Sequence, residues 1–351
     1  MLTLAVDLHQ SQITYVVLDQ HGAAVEKGSV STKPPSVDRL IARLVAASGG
    51  KLIVGFEECG FGHWLHRLAS STGCRVVRIQ PLKKQPHKTD KRDATMIGEI
   101  LTVNRDRILD GRPLIGARRV DAPSEDHRQA RVKCNERRNL AKMRHTVICN
   151  IKDIVRRFNL QHGRPTKGWF TRAARQWLEA MDLPKADRAT LTRLLCHYDF
   201  LEQQIADVQA DIEEQAGADA ACGLLQTIPG AADLTSLGLM SRIGSIKRFK
   251  RPGSLANFFG LTPSLNDSGE TIGRVGSITK RGNSYARFLL GQLVLHVTAK
   301  DAALRQWRRK IKKRRGAKIA LVATMRRLTT IIWHMLRTGE TYASVRARLQ
   351  T

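Results

Sequence analysis

Four acidic residues fall where a carboxylate is chemically conspicuous. Asp7 interrupts the apolar run LTLAVDLH, and Glu57 closes another, KLIVGFEEC. Asp90 and Asp93 follow in KTDKRDA at i and i+3, so a helix would turn both toward one side. Carboxylates gathered without basic partners repel one another and attract hard divalent cations. Mg2+ suits such a set, because it takes one or two carboxylates and fills its shell with water and phosphate oxygens. One or two such ions, with Mn2+ as a substitute, would polarise a phosphodiester and stabilise attacking and leaving oxygens. Each acid alone is more simply a solvated surface group, and only the four placements together suggest a metal site. Glu58 competes with Glu57, but alternation along a strand sends the two side chains to opposite faces, so only one can enter the site.

A second constellation surrounds Ser268 in NDSGETIGRVGSITKRGN. Gly269, Gly273, Gly276 and Gly282 allow the backbone to approach a phosphate or another chain closely, and Lys280 and Arg281 add charge. A serine in such a loop becomes a nucleophile on phosphorus if a metal or a base activates it. On residue chemistry alone, a turn serine bonded to its own backbone is the simpler reading, and Ser264 and Ser277 are equally available. A third cluster is Arg305, Arg308, Arg309, Lys310, Lys312, Lys313, Arg314, Arg315 and Lys318, which no acid interrupts. It fits contact with a phosphate backbone. Trp307 within it either stacks a base or anchors its helix, the second being commoner. His63 and His66 lack a third ligand nearby. The chain has neither the G-x-S-x-G elbow of serine hydrolases nor a Walker-type phosphate loop.

The whole-chain charge agrees with a polyanionic partner. Among 351 residues, 59 Lys and Arg against 31 Asp and Glu leave a net +28. Nucleic acid is the leading partner for such an excess, and an anionic membrane is disfavoured because the basic stretches lack flanking aromatic faces. With 42% hydrophobic and 5% aromatic residues the composition is that of a soluble globular chain. No apolar run approaches the ~20 residues that span a bilayer. The start, MLTLAVDLH, carries no basic region before an apolar one, so a secretory leader is not expected. Cys59, Cys74, Cys134, Cys149, Cys196 and Cys222 are scattered without metal-finger spacing, which suits reduced thiols. The expected place is the cytoplasm.

The elements that must position these residues are legible as pattern. LTLAVDLH, ITYVVLD and AVEKGSVST read as three strands, SVDRLIARLVAA as a helix capped by Ser36, KLIVGFEEC as a buried strand, GHWLHRLASS as a helix and CRVVRIQ as a strand. A last helix runs from about Lys88 through MIGEILTV. The order β-β-β-α-β-α-β-α is that of an α/β ribonuclease H-like domain. In it the ends of the first and central strands are neighbours and the last helix crosses them.

After Pro123 the texture changes. Ser124 caps a long helix with Glu125 and Asp126 in its first turn, and Leu140, Met143, Val147, Ile151, Ile154 and Phe158 form one apolar stripe. A second long helix, with Leu191, Leu194, Tyr198, Leu201, Ile205, Val208 and Ile212, breaks at Gly217. Together they suggest an antiparallel hairpin within one chain or a dimerising coiled coil. LLQTIPGAADLTSLGLMSRIG reads as a helix–turn–helix piece around Pro229-Gly230. Beyond Ser284 two helices close the chain, separated by the basic run. The expected domains are 1–123, 124–217 and a mostly helical 218–351.

Asp7 in LAVDLH, Glu57 in GFEECG, KTDKRDA, a long helical middle, and then IPG, IGSIKRF, LANFFGLTPSLNDSG and GSITKRGN resemble, in that order, the DEDD transposases of the insertion sequence 110 family, which include Piv-type DNA invertases. The match spans almost the whole chain. The resemblance implies a RuvC-like N-terminal domain with the tetrad Asp7, Glu57, Asp90 and Asp93, and a C-terminal transposase domain whose serine is Ser268. It implies a Mg2+-dependent recombinase in which carboxylates and serine come from different protomers of a homo-oligomer, a dimer assembling to a tetramer. The serine would hold a DNA strand as a phosphoserine ester, so rejoining needs no ATP. A structured bridge RNA would select donor and target DNA by base pairing, leaving shape and backbone to the protein. Two other readings compete: a RuvC-like nuclease or junction resolvase that uses water, and a non-catalytic nucleic-acid-binding regulator. The charge and the missing phosphate-loop glycines argue against an actin-like sugar kinase.

Overall fold

The computed structural model describes residues 1–82, 90–265 and 275–349, and divides into two compact units, Met1–Ala122 and Pro123–Thr351. The first unit is a mixed α/β sheet domain. Its chain order is β1 (Leu2–Leu8), β2 (Gln12–Leu18), β3 (Ala24–Ser31), α1 (Pro34–Ala47), β4 (Leu52–Glu57), α2 (His63–Ser71), β5 (Arg75–Pro81), α3 (Asp90–Val103), α4 (Arg105–Leu109) and β6 (Ala117–Arg119). The sheet order is β3-β2-β1-β4-β5-β6. β1, β2 and β3 form an antiparallel meander, β4 and β5 add in parallel, and β6 closes the far edge antiparallel to β5.

Period-two alternation sorts the strand residues onto two buried faces. Leu4, Val6, Leu8, Leu52, Val54 and Phe56 pack with α1 and α2 through Val37, Ile41, Leu44 and Leu65. Ala5, Ile53, Val77 and Ile79 pack on the other face with Ile97 and Leu101 of α3. Gly55 belongs to this second face and lets α3 lie close, because a Cβ there would stand 2.3 Å from Leu101 Cδ1. Two local expectations are corrected. Ser36 is not the cap of α1: Pro34 and Pro35, with φ already suited to a first turn, open the helix after Lys33. The short edge strand β6 extends the expected order.

The second unit is helical. α5 (Glu125–Arg157), α6 (Arg172–Ala180) and α7 (Lys185–Gly217) are followed by α8 (Ala220–Gln226), α9 (Asp233–Ile243) and α10 (Pro252–Phe258). A small β7 (Pro263–Leu265) pairs antiparallel with β8 (Val275–Ile278), and α11 (Ser284–Lys300), α12 (Ala302–Arg315), α13 (Ala317–Thr338) and α14 (Tyr342–Arg348) close the chain. Ser124 caps α5 as expected, accepting from the His127 amide at 3.3 Å. α5 and α7 pair antiparallel within the chain. Lys133 reaches Asp211, Arg137 reaches Gln209, Arg144 reaches Glu202 and Arg157 reaches Asp187, so one partner number rises as the other falls. Val147, Ile151 and Ile154 are buried, while Met143 of the same stripe is half exposed.

The basic run is not a separator between two closing helices. It is itself α12, started by Asp301, whose carboxylate accepts from the Leu304 amide at 2.7 Å, and stopped at Gly316 with φ +84°. All six cysteines are free. Among the described residues no helix is long and apolar enough to cross a membrane.

Candidate active site

Asp7 is the last residue of β1 on the α3 face, in step with Ala5. The parallel register that pairs Val6 with Phe56 brings Glu57 alongside it at the end of β4, on the face of Ile53 and Gly55. Asp90 and Asp93 occupy the first turn of α3. Asp93 lies one turn before Ile97, which is fully buried against the sheet, so its carboxylate enters from the helix side. α3 is anchored just beyond by Ala94 on Val16 and Leu18. Sheet and helix thus carry the four predicted acids to the same end of the domain. Glu58 goes to the opposite face, where it pairs with the buried Arg78 through two guanidinium nitrogens.

The tightest group contains a residue that the sequence reading passed over. His9, one residue past β1, points its Nε2 at Asp7 Oδ2 (3.0 Å) and at Asp90 Oδ1 (3.4 Å). Among the described residues, Asp7, His9 and Asp90 are the set of three ligand-type side chains whose atoms all lie within 4.8 Å of one another. Glu57 and Asp93 stand outside that span. The one signal in the sequence was strand alternation, which puts His9 two residues beyond Asp7 and therefore on its side. Burial pushes the Asp7 carboxyl above its ordinary range; the His9 hydrogen bond pulls it back, and the charges of Asp93 and Asp90 push it up again. The oxygen-rich donors of this group fit a hard divalent cation. A cavity of about 940 Å3 opens beside Asp90, lined by Gln12, Thr14, Lys27 and Ser29 of the β2–β3 hairpin and by Thr95.

The other predicted residues belong to the second unit. Ser268 lies outside the described residues, as do Gly269 and Gly273. The turn that follows is built by close backbone contact. A Cβ on Gly282 would stand 2.3 Å from Phe258 O, and one on Gly260 would stand 2.9 Å from the Arg281 amide. Arg287 ties the two segments by donating to Phe259 O (3.0 Å) and Gly282 O (2.9 Å), and Asn283 caps α11. Gly282 therefore serves packing within the chain, while Lys280 and Arg281 remain exposed. On α12, Arg305 donates to Thr298 O and Ala299 O and Arg308 to Thr298 Oγ1, so both help to hold the end of α11. Arg309, Lys310, Lys312, Lys313, Arg314, Arg315 and Lys318 are exposed. Trp307 packs on the core with Arg327 stacked 4.8 Å from its ring centre.

Residues 4–159 match the family profile of DEDD transposases of IS110 type, and residues 222–309 match the profile described as the transposase IS116/IS110/IS902 family. The chain is 29% identical over 306 residues to the transposase for insertion sequence element IS1111A of Coxiella burnetii, covering 82% of this chain and 79% of that protein. It is 26% identical over 296 residues to a probable family 20 transposase of Pseudomonas aeruginosa (81% and 83% covered). It is 23% identical over 296 residues to the transposase for insertion sequence element IS1328 of Yersinia enterocolitica (83% and 85% covered). These likenesses define a transposase, an enzyme that rearranges DNA. Within that class the chain belongs to the IS110 family of insertion-sequence transposases.

Proposed function

We propose that this transposase is a divalent-metal-dependent serine recombinase with a ribonuclease H-like, RuvC-like catalytic domain, in which Asp7, Glu57, Asp90 and Asp93 hold the metal and Ser268 is the nucleophile. The observation that carries the metal half is the convergence of Asp7 and Asp90 with Asp93 at the helix start and Glu57 on the neighbouring strand. The sheet order β3-β2-β1-β4-β5 supports the domain reading. When bound, Mg2+ or Mn2+ supplies Lewis-acid polarisation of a phosphoryl oxygen. The carboxylates orient it, and the floor of buried apolar residues behind Asp7 keeps them fixed. Ser268 Oγ loses its proton and attacks a backbone phosphorus. A strand-end hydroxyl leaves with a proton, and a phosphoserine ester remains. A hydroxyl of the partner strand then attacks the same phosphorus, and serine leaves protonated.

The chain acts as a homo-oligomer, dimer to tetramer, with serine and carboxylates contributed by different protomers, and a structured bridge RNA pairs with donor and target DNA. The exposed charge of α12, with Lys280 and Arg281, suits the backbones of those nucleic acids. Incubation of wild-type and Ser268→Ala protein with guide RNA, labelled donor and target DNA and Mg2+, followed by denaturing electrophoresis, tests the reading. A covalent protein–DNA band that S268A lacks is expected. Continued strand cutting by S268A without any adduct in either protein would indicate a water-using nuclease instead.

A further inference from the structure

The side chain that meets both Asp7 and Asp90 is an imidazole. His9 is fixed at the mouth of the β1–β2 hairpin, where its amide donates to Gln12 O at 3.0 Å. Strand alternation then aims its ring across Asp7 at the first turn of α3. Neighbouring ligands around an octahedral ion with bonds of about 2.1 Å lie about 3 Å apart. The separations of Nε2 from Asp7 Oδ2, 3.0 Å, and from Asp90 Oδ1, 3.4 Å, already match that spacing. Among the described residues no Lys or Arg pairs with Asp7 or Asp90, so the imidazole is the one side chain hydrogen-bonded or ion-paired to both.

We infer that His9 is a ligand of the ion held by Asp7 and Asp90, giving a mixed nitrogen–oxygen site that prefers a first-row divalent transition ion over Mg2+. Mg2+ favours oxygen donors and sheds water reluctantly, so it gains little from a nitrogen ligand. Transition ions accept imidazole readily, and their affinity for nitrogen donors rises along the series from manganese to copper. The inference rests on the reading of the carboxylates as an ion site and adds to it which ion the site selects. The rival role for His9 is that of a cation standing in for the metal and leaving when it arrives. In that role its removal would strengthen Mg2+ binding.

The two roles separate by direct ion binding to the full-length protein, with no DNA and no turnover. Co2+ and Mg2+ are titrated calorimetrically into wild type, His9→Ala, His9→Gln and Asp7→Asn, and the visible Co2+ spectrum is recorded alongside. The expected result is a D7N-sensitive site at which H9A and H9Q weaken Co2+ by about tenfold or more, the scale on which a tuned metal site responds to loss of one supporting group. Mg2+ should change by less than about twofold. The Co2+ absorption band of the wild-type site should move in both His9 variants. An unchanged Co2+-to-Mg2+ preference and an unmoved band, or tighter Mg2+ binding in H9A, would overturn the role of His9 while leaving the carboxylate site standing. Loss of any D7N-sensitive binding in the wild type would overturn both.

Discussion

The helical hairpin and the end of the N-terminal sheet are both rich in acid, and they dispose of it differently. On α7, Asp187, Asp199 and Glu202 each face an arginine, from α5 or α6: Arg157, Arg175 and Arg144. At the sheet, Glu58 likewise lies against buried Arg78. Asp7 and Asp90 have His9 between them and no described Lys or Arg. In a chain of net charge +28, arginine was plentiful. Asp187, Asp199, Glu202 and Glu58 are held by arginine, whereas Asp7 and Asp90 share an imidazole among the described residues, an arrangement open to a cation from solution. The difference teaches that carboxylate density alone is uninformative. Partnering is what separates a structural acid from a candidate ligand.

Substitutions can break or sharpen that contrast. The largest effect is expected from Asp7→Asn or Glu57→Gln, each lowering recombination on the order of a thousandfold, as loss of a preorganised electrostatic group does. Thermal unfolding of D7N should show stability unchanged or raised, because a repelled, half-buried charge is removed. A cooperative loss of stability in D7N would place Asp7 with the structural acids. Next comes the other sign of charge. Replacing Lys312, Lys313, Arg314 and Arg315 of α12 by Gln should flatten the slope of log affinity against log salt by roughly 3 to 4 for duplex DNA, measured by fluorescence anisotropy. An unaltered slope would mean that this helix does not touch phosphate.

Glu58→Gln should act on the fold and not on the ion. Leaving the Arg78 guanidinium buried without its charge partner costs about 2 kcal/mol, read from urea unfolding, while metal affinity persists. Loss of ion binding in E58Q would exchange the roles of Glu57 and Glu58. A pH dependence belongs to Asp301. Burial works against its charge, but hydrogen bonds from Arg346, the Leu304 amide and Tyr342 hold its carboxyl below the ordinary value of 3.8. A carboxylate held low stabilises the folded chain above that value and loses this contribution as pH falls through its folded pKa. Unfolding midpoints should therefore drop on acidification below pH 4 more steeply in wild type than in Asp301→Asn. The smallest effect is that of Arg157→Ala, whose exposed pair with Asp187 should be worth under about 1 kcal/mol and leave recombination intact.

Much of this contrast was legible before any coordinates. Apolar alternation in LTLAVDLH and KLIVGFEEC set Asp7 and Glu57 on buried strands, and the i, i+3 spacing of Asp90 and Asp93 set them on one side of a helix. What local pattern could not supply was contact between distant segments. His9 meets Asp90 only because α3 crosses the sheet, and nothing in LHQSQ announces it. Glu58 finds Arg78 because β4 and β5 lie side by side. The stripes of α5 and α7 are equally compatible with pairing inside one chain or between two. The antiparallel run of partners from Lys133 to Arg157 is what distinguishes them. The basic segment 305–315 reads as a separator between two closing helices because charge hides helix periodicity, although Asp301 and Gly316 are ordinary start and stop residues. Gly282 lies against Phe258 and Phe259, more than twenty residues upstream, a closeness that a glycine in a loop suggests but does not locate.

The most direct test of the Asp7–Asp90 site is anomalous diffraction from crystals of the full-length protein soaked in Mn2+. A peak bonded to Asp7 and Asp90, with Glu57 and Asp93 alongside and absent from Asp7→Asn crystals, is the expected outcome. Mn2+ bound elsewhere, with His9 still bridging Asp7 and Asp90 in a metal-saturated crystal, would contradict it.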